Sequence, residues 1–371
     1  MSQNEPFEIF LVAAPGLEDA LLDEAIERGF AGAARVQGGV AFTGHWPDVW
    51  RANLEMRGAT RVLARIGSFM AFHLAQLDKR ARKFPWGDLL RADVPVKVEV
   101  STNRASKIYH AGAAAQRIET ALHESHGITI AADAALVIKA RIEDNRVTLS
   151  LDTSGESLHK RGHKQGVGKA PMRETLAALF LRQCGFDGTE PLVDPMCGSG
   201  TFPIEAAEIA AGLQAGRARE FAFQHLANYD GGAFADMHRP VDVQGSPRFF
   251  GFDRDAGAVR MAQANADRAG VAPLTAFTCQ PLSDLTPPEG PPGLVMINPP
   301  YGARIGNKKL LYGLYGAIGE VLNSRFAGWR VGIVTSEPSL ARVTNLPFLP
   351  TERPVPHGGL KVTLFRTDPL P

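Results

Sequence analysis

Cysteine is scarce in this chain. Cys184, Cys197 and Cys279 are the only three in 371 residues, an odd number with no CxxC pair. Such usage excludes a disulfide-built scaffold and a cysteine-rich zinc site, and it fits a reducing compartment. Long apolar runs are also missing, so no stretch reads as a membrane helix. The amino-terminal MSQNEPFEIF does not show the basic-then-apolar order of a secretory signal. These absences lead to the expectation of a cytoplasmic protein. Neither charge is in excess, because 40 Lys and Arg balance 39 Asp and Glu for a net +1. A uniformly basic nucleic-acid coat is thereby excluded, and contact with RNA has to come from local patches. No GxxxxGK(S/T) occurs, which excludes P-loop enzymes, and no GxGxxG follows a strand, which speaks against a nicotinamide-binding fold.

What is present is an ordinary globular composition, 44% hydrophobic and 21% charged, over a length that accommodates two or three domains. The rest is organised around Ile297-Asn298-Pro299-Pro300-Tyr301-Gly302, which follows the apolar run Gly293–Ile297. That run reads as a short buried strand. The prolines Pro299 and Pro300 fix the backbone and remove two N–H donors where the strand stops. What is left is a rigid turn with one amide side chain, bare carbonyls and an aromatic ring. The Asn298 oxygen and a neighbouring carbonyl can accept both hydrogens of a planar exocyclic amine, while Tyr301 can stack on a base. Catalysis would then work by positioning. Asn-Pro alone would be explained equally by a plain strand-ending turn.

A second stretch, about a hundred residues earlier, is Leu192-Val193-Asp194-Pro195-Met196-Cys197-Gly198-Ser199-Gly200-Thr201-Phe202. Here a strand enters a small-residue loop and then a helix, and Gly198 and Gly200 permit close approach to a ligand. The next strand, Arg248 to Asp253, ends on a carboxylate able to accept both ribose hydroxyls of a nucleoside cofactor, while Asp255 is placed to cap the following helix. This strand–helix alternation implies a parallel sheet with ligands at the carboxyl ends of its strands. The insert from Gly212 to Pro247 carries Phe221, Phe223 and Tyr229, and its role is not legible.

Taken together, DPMCGSGTF and NPPYG resemble the class I S-adenosylmethionine (AdoMet) methyltransferases that act on amino groups of nucleic-acid bases. Residues 7–152, with VQGGVAF and the junction LHKRGH before APMRETLAA, resemble a ferredoxin-like unit followed by a THUMP RNA-binding domain. The joint resemblance is to THUMP-domain RNA guanine-N2 methyltransferases. It implies an α/β fold in which a Rossmann-like sheet of about seven strands follows an α+β region. The boundaries it suggests are 1–67, 68–154 and 155–371, the last including the junction 155–169.

As site residues it implies Asn298, Pro299, Pro300 and Tyr301 for catalysis. For AdoMet it implies Asp194, Pro195, Cys197, Gly198, Ser199, Gly200, Thr201, Asp253, Gln280 and Asn298. One departure stands out: Pro281 occupies about the position where the family places an acid for the adenine amine, leaving Gln280, Asp284 or backbone carbonyls to replace it. Cys197 lies in the cofactor loop rather than beside the base, so it reads as packing and not as a nucleophile. Arg104, Lys107 and Arg117, with Lys160, Arg161 and Lys164 of the junction, are RNA-phosphate candidates by analogy. The expected partner is structured RNA, ribosomal or transfer, with no membrane and no metal. The alternatives are an adenine-N6 DNA methyltransferase, which shares the Asn-Pro-Pro-Tyr chemistry, and a catalytically silent RNA-binding factor.

Overall fold

The computed structural model describes residues 5–165, 172–302 and 308–371. The chain runs β1 (Phe7–Val12), α1 (Glu18–Glu27), β2 (Ala34–Val36), β3 (Gly39–Gly44), α2 (Trp46–Glu55), β4 (Arg61–Met70), α3 (Leu74–Arg82), β5 (Val96–Thr102), α4 (Ala111–His126), β6 (Leu136–Glu143) and β7 (Arg146–Asp152). It continues with α5 (Glu174–Gln183), β8 (Leu192–Asp194), α6 (Thr201–Ala210), α7 (Gly231–Ala235), β9 (Phe249–Asp253), α8 (Ala256–Ala269), β10 (Thr275–Cys279) and β11 (Leu294–Ile297). It ends with α9 (Lys308–Arg325), β12 (Arg330–Thr335), α10 (Pro338–Val343), β13 (Val355–His357) and β14 (Leu360–Arg366). No helix among the described residues is long and apolar enough to cross a membrane.

Two compact units result. One comprises the chain up to Ala13, Leu22–Leu158 and Arg219–His238. Its seven-stranded sheet has the order β2-β3-β1-β4-β7-β6-β5. Residues 61–66 alternate along β4, and Val62, Ala64 and Ile66 form its inward face, buried between β1 and β7. The register slips between Arg65 and Gly67. A Cβ at Gly67 would lie 2.7 Å from the Phe84 ring, so packing demands glycine at that step. The hairpin across residues 143–146 forms with Asp144 and Asn145 both at positive φ, 50° and 65°, which matches the twist of the strands it joins.

Two boundaries differ from expectation. The break between residues 67 and 68 falls inside β4, so the two regions expected on either side of it share one sheet. Arg219–His238, expected within the catalytic domain, belongs to this first unit instead. The cause is aromatic packing. Phe223 is fully buried, its ring centroid 6.2 Å from Trp50, 5.2 Å from Phe221 and 5.1 Å from Phe234. Backbone bonds secure it, with Phe223 N donating to Thr153 O and Ala227 N to Leu89 O. The Arg219 guanidinium donates to the carbonyls of Ser154, Glu156 and Ser157.

The other unit comprises Ala14–Leu21, His159–Ala218 and Arg239–Pro371. Its sheet, also seven-stranded, has the order β10-β9-β8-β11-β12-β14-β13. The strands from β10 to β12 are parallel, and β14 is antiparallel to both its neighbours. Such a sheet is covered on both faces, which is why β8 and β11 read as uninterrupted apolar runs. The strand order reverses between β8 and β11, and the crevice at their carboxyl ends is where such sheets bind ligands. Both motifs end there.

Phe223→Ala should lower the unfolding free energy by about 3–5 kcal/mol in urea titrations, as for other fully buried aromatic residues. A loss below about 1 kcal/mol would show that Arg219–His238 contributes no core.

Candidate active site

β8 is stopped by Pro195 just after Asp194, whose carboxylate accepts a bond from Met196 N at 3.1 Å. Asp194 is buried. That burial, with the nearby charge of Asp253, pushes its carboxyl up to about 8. The loop that follows is fastened to β9. Cys197 N donates to Phe252 O at 2.9 Å and Gly198 N to Asp253 Oδ2 at 3.1 Å. Asp253 Oδ1 accepts from Asp255 N, and its carbonyl from Gln280 N, both at 3.0 Å. Asp253 therefore joins the glycine loop to the ends of β9 and β10, through its carboxylate and its carbonyl. As expected, Asp255 caps α8, accepting from Gly257 N at 2.7 Å.

The two glycines do different work. Gly200 (φ 82°) is sterically required, since a Cβ there would lie 3.0–3.1 Å from Ala262, Ile204 and Phe277. At Gly198 (φ 51°) a Cβ would meet nothing within 4 Å, so the loop backbone faces open space. Ser199 O is held from behind by Asn265 Nδ2 at 3.0 Å, and Asn265 is fully buried. A loop with open space in front, beside an acceptor carboxylate, suits a nucleoside cofactor. Cys197 is packed inward, and burial, with the charges of Asp194 and Asp253, raises its thiol well above the usual range. No thiolate nucleophile is available there.

At the end of β11, Pro299 is buried and Pro300 exposed. Asn298 Oδ1 is enclosed, with no hydrogen-bond partner among the described residues. A buried acceptor left bare costs about 1–3 kcal/mol. Asn298 Oδ1 is thus an acceptor left open to a donor from outside the described residues. Tyr301 is half-buried and packs against the core beside β11, and burial raises its hydroxyl to about 12, so the oxygen is no base at neutral pH. Gln280 is half-buried and Asp284 exposed, its carboxylate accepting from Ser283 Oγ.

Two of the expected RNA contacts need correction. Arg161 is 2% exposed and pairs with Glu205 at 3.3 Å. Lys164 Nζ donates to Met172 O at 2.9 Å and Thr201 Oγ1 at 2.8 Å, and it pairs with Glu174 at 3.1 Å. Buried carboxylates pull both cations inward, away from any phosphate. Lys164 thus holds the first residue of α6, a role that nothing in the basic run announces. Arg104, Lys107, Arg117 and Lys160 do lie on the surface. No cluster able to hold a metal ion occurs among the described residues.

Residues 161–353, more than half of the chain, match the model of the RMKL-like methyltransferase domain, and residues 8–63 match that of the RlmL ferredoxin-like domain. The chain belongs to the RMKL-like methyltransferase family. One curated relative, the ribosomal RNA large subunit methyltransferase K/L of Vibrio campbellii, is 32% identical over 346 residues. The alignment takes in 89% of this chain, but the chain spans about half (49%) of that relative's length. A Listeria monocytogenes structure described as an N6-adenine-specific DNA methylase is 28% identical, with a TM-score of 0.84 over 98% of this chain and 96% of that one. A structure described as a methyltransferase complexed with SAH is 26% identical, again with a TM-score of 0.84, over 99% of each chain.

The Asp194 carboxyl titrates higher in the fold than in the unfolded chain. Its stabilising contribution is therefore complete below about pH 4 and lost as the pH rises through about 8. Asp194→Asn, neutral throughout, should flatten part of the fall in melting temperature between pH 5 and 8. Parallel pH curves for the two proteins would contradict the raised carboxyl.

Proposed function

We propose that the chain transfers a methyl group from AdoMet to the exocyclic N2 amine of a guanine in RNA, with large-subunit ribosomal RNA the first candidate. The observation that carries this is the enclosed, unpartnered Asn298 Oδ1 at the end of β11, on the same edge of the sheet as the open glycine loop and Asp253. The cofactor fits the residues present. Asp253 would accept the ribose hydroxyls, the backbone from Asp194 to Thr201 would line the methionine side, and Gln280 or the neighbouring backbone would serve the adenine. When bound, AdoMet supplies a methyl group on a positively charged sulfur.

The chain's own residues then position the amine. Asn298 Oδ1 and the Pro299 carbonyl accept its two hydrogens, which directs the nitrogen lone pair out of the base plane. Tyr301 stacks on the base, which is flipped from its own stack at a cost of a few kcal/mol. No strong base is required, because the nitrogen becomes acidic as its new bond forms, and the Tyr301 phenol stays protonated. Residues 68–154 serve as the RNA-holding module, with Arg104, Lys107 and Arg117 on phosphates, and Lys160 of the junction is a separate phosphate candidate. A cytoplasmic location goes with this reading.

A second reading, methylation of adenine N6 in DNA, is favoured by the description of the Listeria neighbour, since the two amines present alike to Asn298. The match at residues 8–63 to the RlmL ferredoxin-like domain weighs for RNA. Incubation with labelled AdoMet and total RNA or DNA, followed by nucleoside analysis, separates them. N2-methylguanosine in large ribosomal RNA supports the proposal, the same product in tRNA moves the substrate, and N6-methyladenine in DNA overturns it. Asn298→Ala should cut turnover at least about a hundredfold with AdoMet affinity retained. Asp253→Ala should instead weaken AdoMet binding by calorimetry, and an unchanged affinity would displace the ribose contact.

A further inference from the structure

The hairpin that closes the catalytic sheet carries a buried histidine with no role so far. β13 and β14 are joined by Gly358 and Gly359, at φ 57° and 84°, as a two-residue type I′ turn requires. His357 and Leu360 flank this turn and are paired directly across it. Opposed residues of an antiparallel pair project from one face. Leu360 shows where that face points, since its Cδ1 lies 3.5 Å from the place a Cβ would take at Gly302. Gly302 ends the Asn298–Gly302 turn, so His357 faces the turn that carries Asn298.

The imidazole is 8% exposed, and Nδ1 is enclosed with no hydrogen-bond partner among the described residues. Asn298 Oδ1 is in the same condition. Bare buried polar atoms are rare in native structures. Each is an acceptor that a donor brought by a ligand would satisfy, His357 on the hairpin that faces the Asn298–Gly302 turn. Burial, with the positive charges of Arg173 and Lys164, lowers the pKa of the ring and favours its neutral form. A neutral ring protonated on Nε2 presents Nδ1 as an acceptor.

We propose that His357 Nδ1 accepts a hydrogen bond from N1–H of the guanine whose N2 amine is held at Asn298, so that the β13–β14 hairpin selects guanine. This inference rests on the guanine reading above. In guanine, N1–H and the N2 amine are adjacent on one edge, so acceptors on the hairpin and on the turn engage them together. A base with a bare N1 would set lone pair against lone pair, a repulsive element of the kind that specificity needs. A site built to bond a substrate N–H strongly rejects an analogue without it.

The test uses the full chain and the RNA labelled in the nucleoside analysis, prepared with guanine or with 2-aminopurine at the methylated position. 2-Aminopurine keeps the C2 amine but has a bare N1. The wild type should prefer guanine by about a hundredfold in kcat/KM. His357→Phe, which fills the space without an acceptor, should lose most of that preference by slowing guanine alone. His357→Asn, whose Oδ1 replaces Nδ1, should restore much of it, and AdoMet affinity should be unchanged in both variants. An undiminished preference in His357→Phe, or an equal loss on both bases, overturns the inference while leaving the guanine reading intact. A wild type that labels no guanine in any RNA overturns both.

Discussion

The bond from Gly198 N to Asp253 Oδ2 is the constraint on which the catalytic unit depends. A glycine loop at a strand end has many accessible conformations, and ordering it is entropically costly. Here one carboxylate, itself fixed by Asp255 N and by the bond from Gln280 N to its carbonyl, holds the loop against β9. Gly200 then packs where only a hydrogen fits, and α6 starts in a fixed direction. Without that anchor, neither the open backbone face at Gly198 nor the alignment with β11 would persist.

Behind the loop lies a second layer of constraint, made of charge. Arg161 pairs with Glu205, Arg217 with Glu208 and Lys164 with Glu174, and the carboxylates Glu205 and Glu208 are essentially inaccessible to water. Buried pairs of this kind add little net stability, because desolvation offsets most of the attraction, yet removing one partner leaves a charge stranded. Their effect is geometric. Lys164 joins Met172 O, Thr201 and Glu174, so the residues preceding α5 and the first turn of α6 are held in register. A junction that looks like a soluble basic linker is in fact an internal brace.

Much of the architecture could be read in advance. The apolar runs at β8 and β11 mark buried parallel strands, and the turn residues after each could only end them. Asp255 is a helix cap by position, and the 144–145 turn follows from residues that tolerate positive φ. Pro281 illustrates the limit: its place in the chain signals a departure, but whether Gln280 or the backbone serves the adenine side depends on contacts that spacing does not carry. The basic run at 160–164 misled for a related reason. Charge on a loop suggests solvent, and nothing local reveals that Glu174, Glu205 and Glu208 wait beneath it.

Residue order alone fixed the two strand-ending motifs, the chemistry of Asn298 and the alternation of strands and helices, since these follow from dihedral preference, hydrogen-bonding capacity and period over a few neighbouring residues. Long-range folding settled the destination of Arg219–His238, the inward turn of Arg161 and Lys164, the fusion of two expected domains through β4 and the burial of His357. Each of these rests on contacts between residues far apart in the chain, such as Trp50 with Phe223 or Leu360 with Gly302. Their energy comes from shape and desolvation in the assembled core, and no local pattern encodes it.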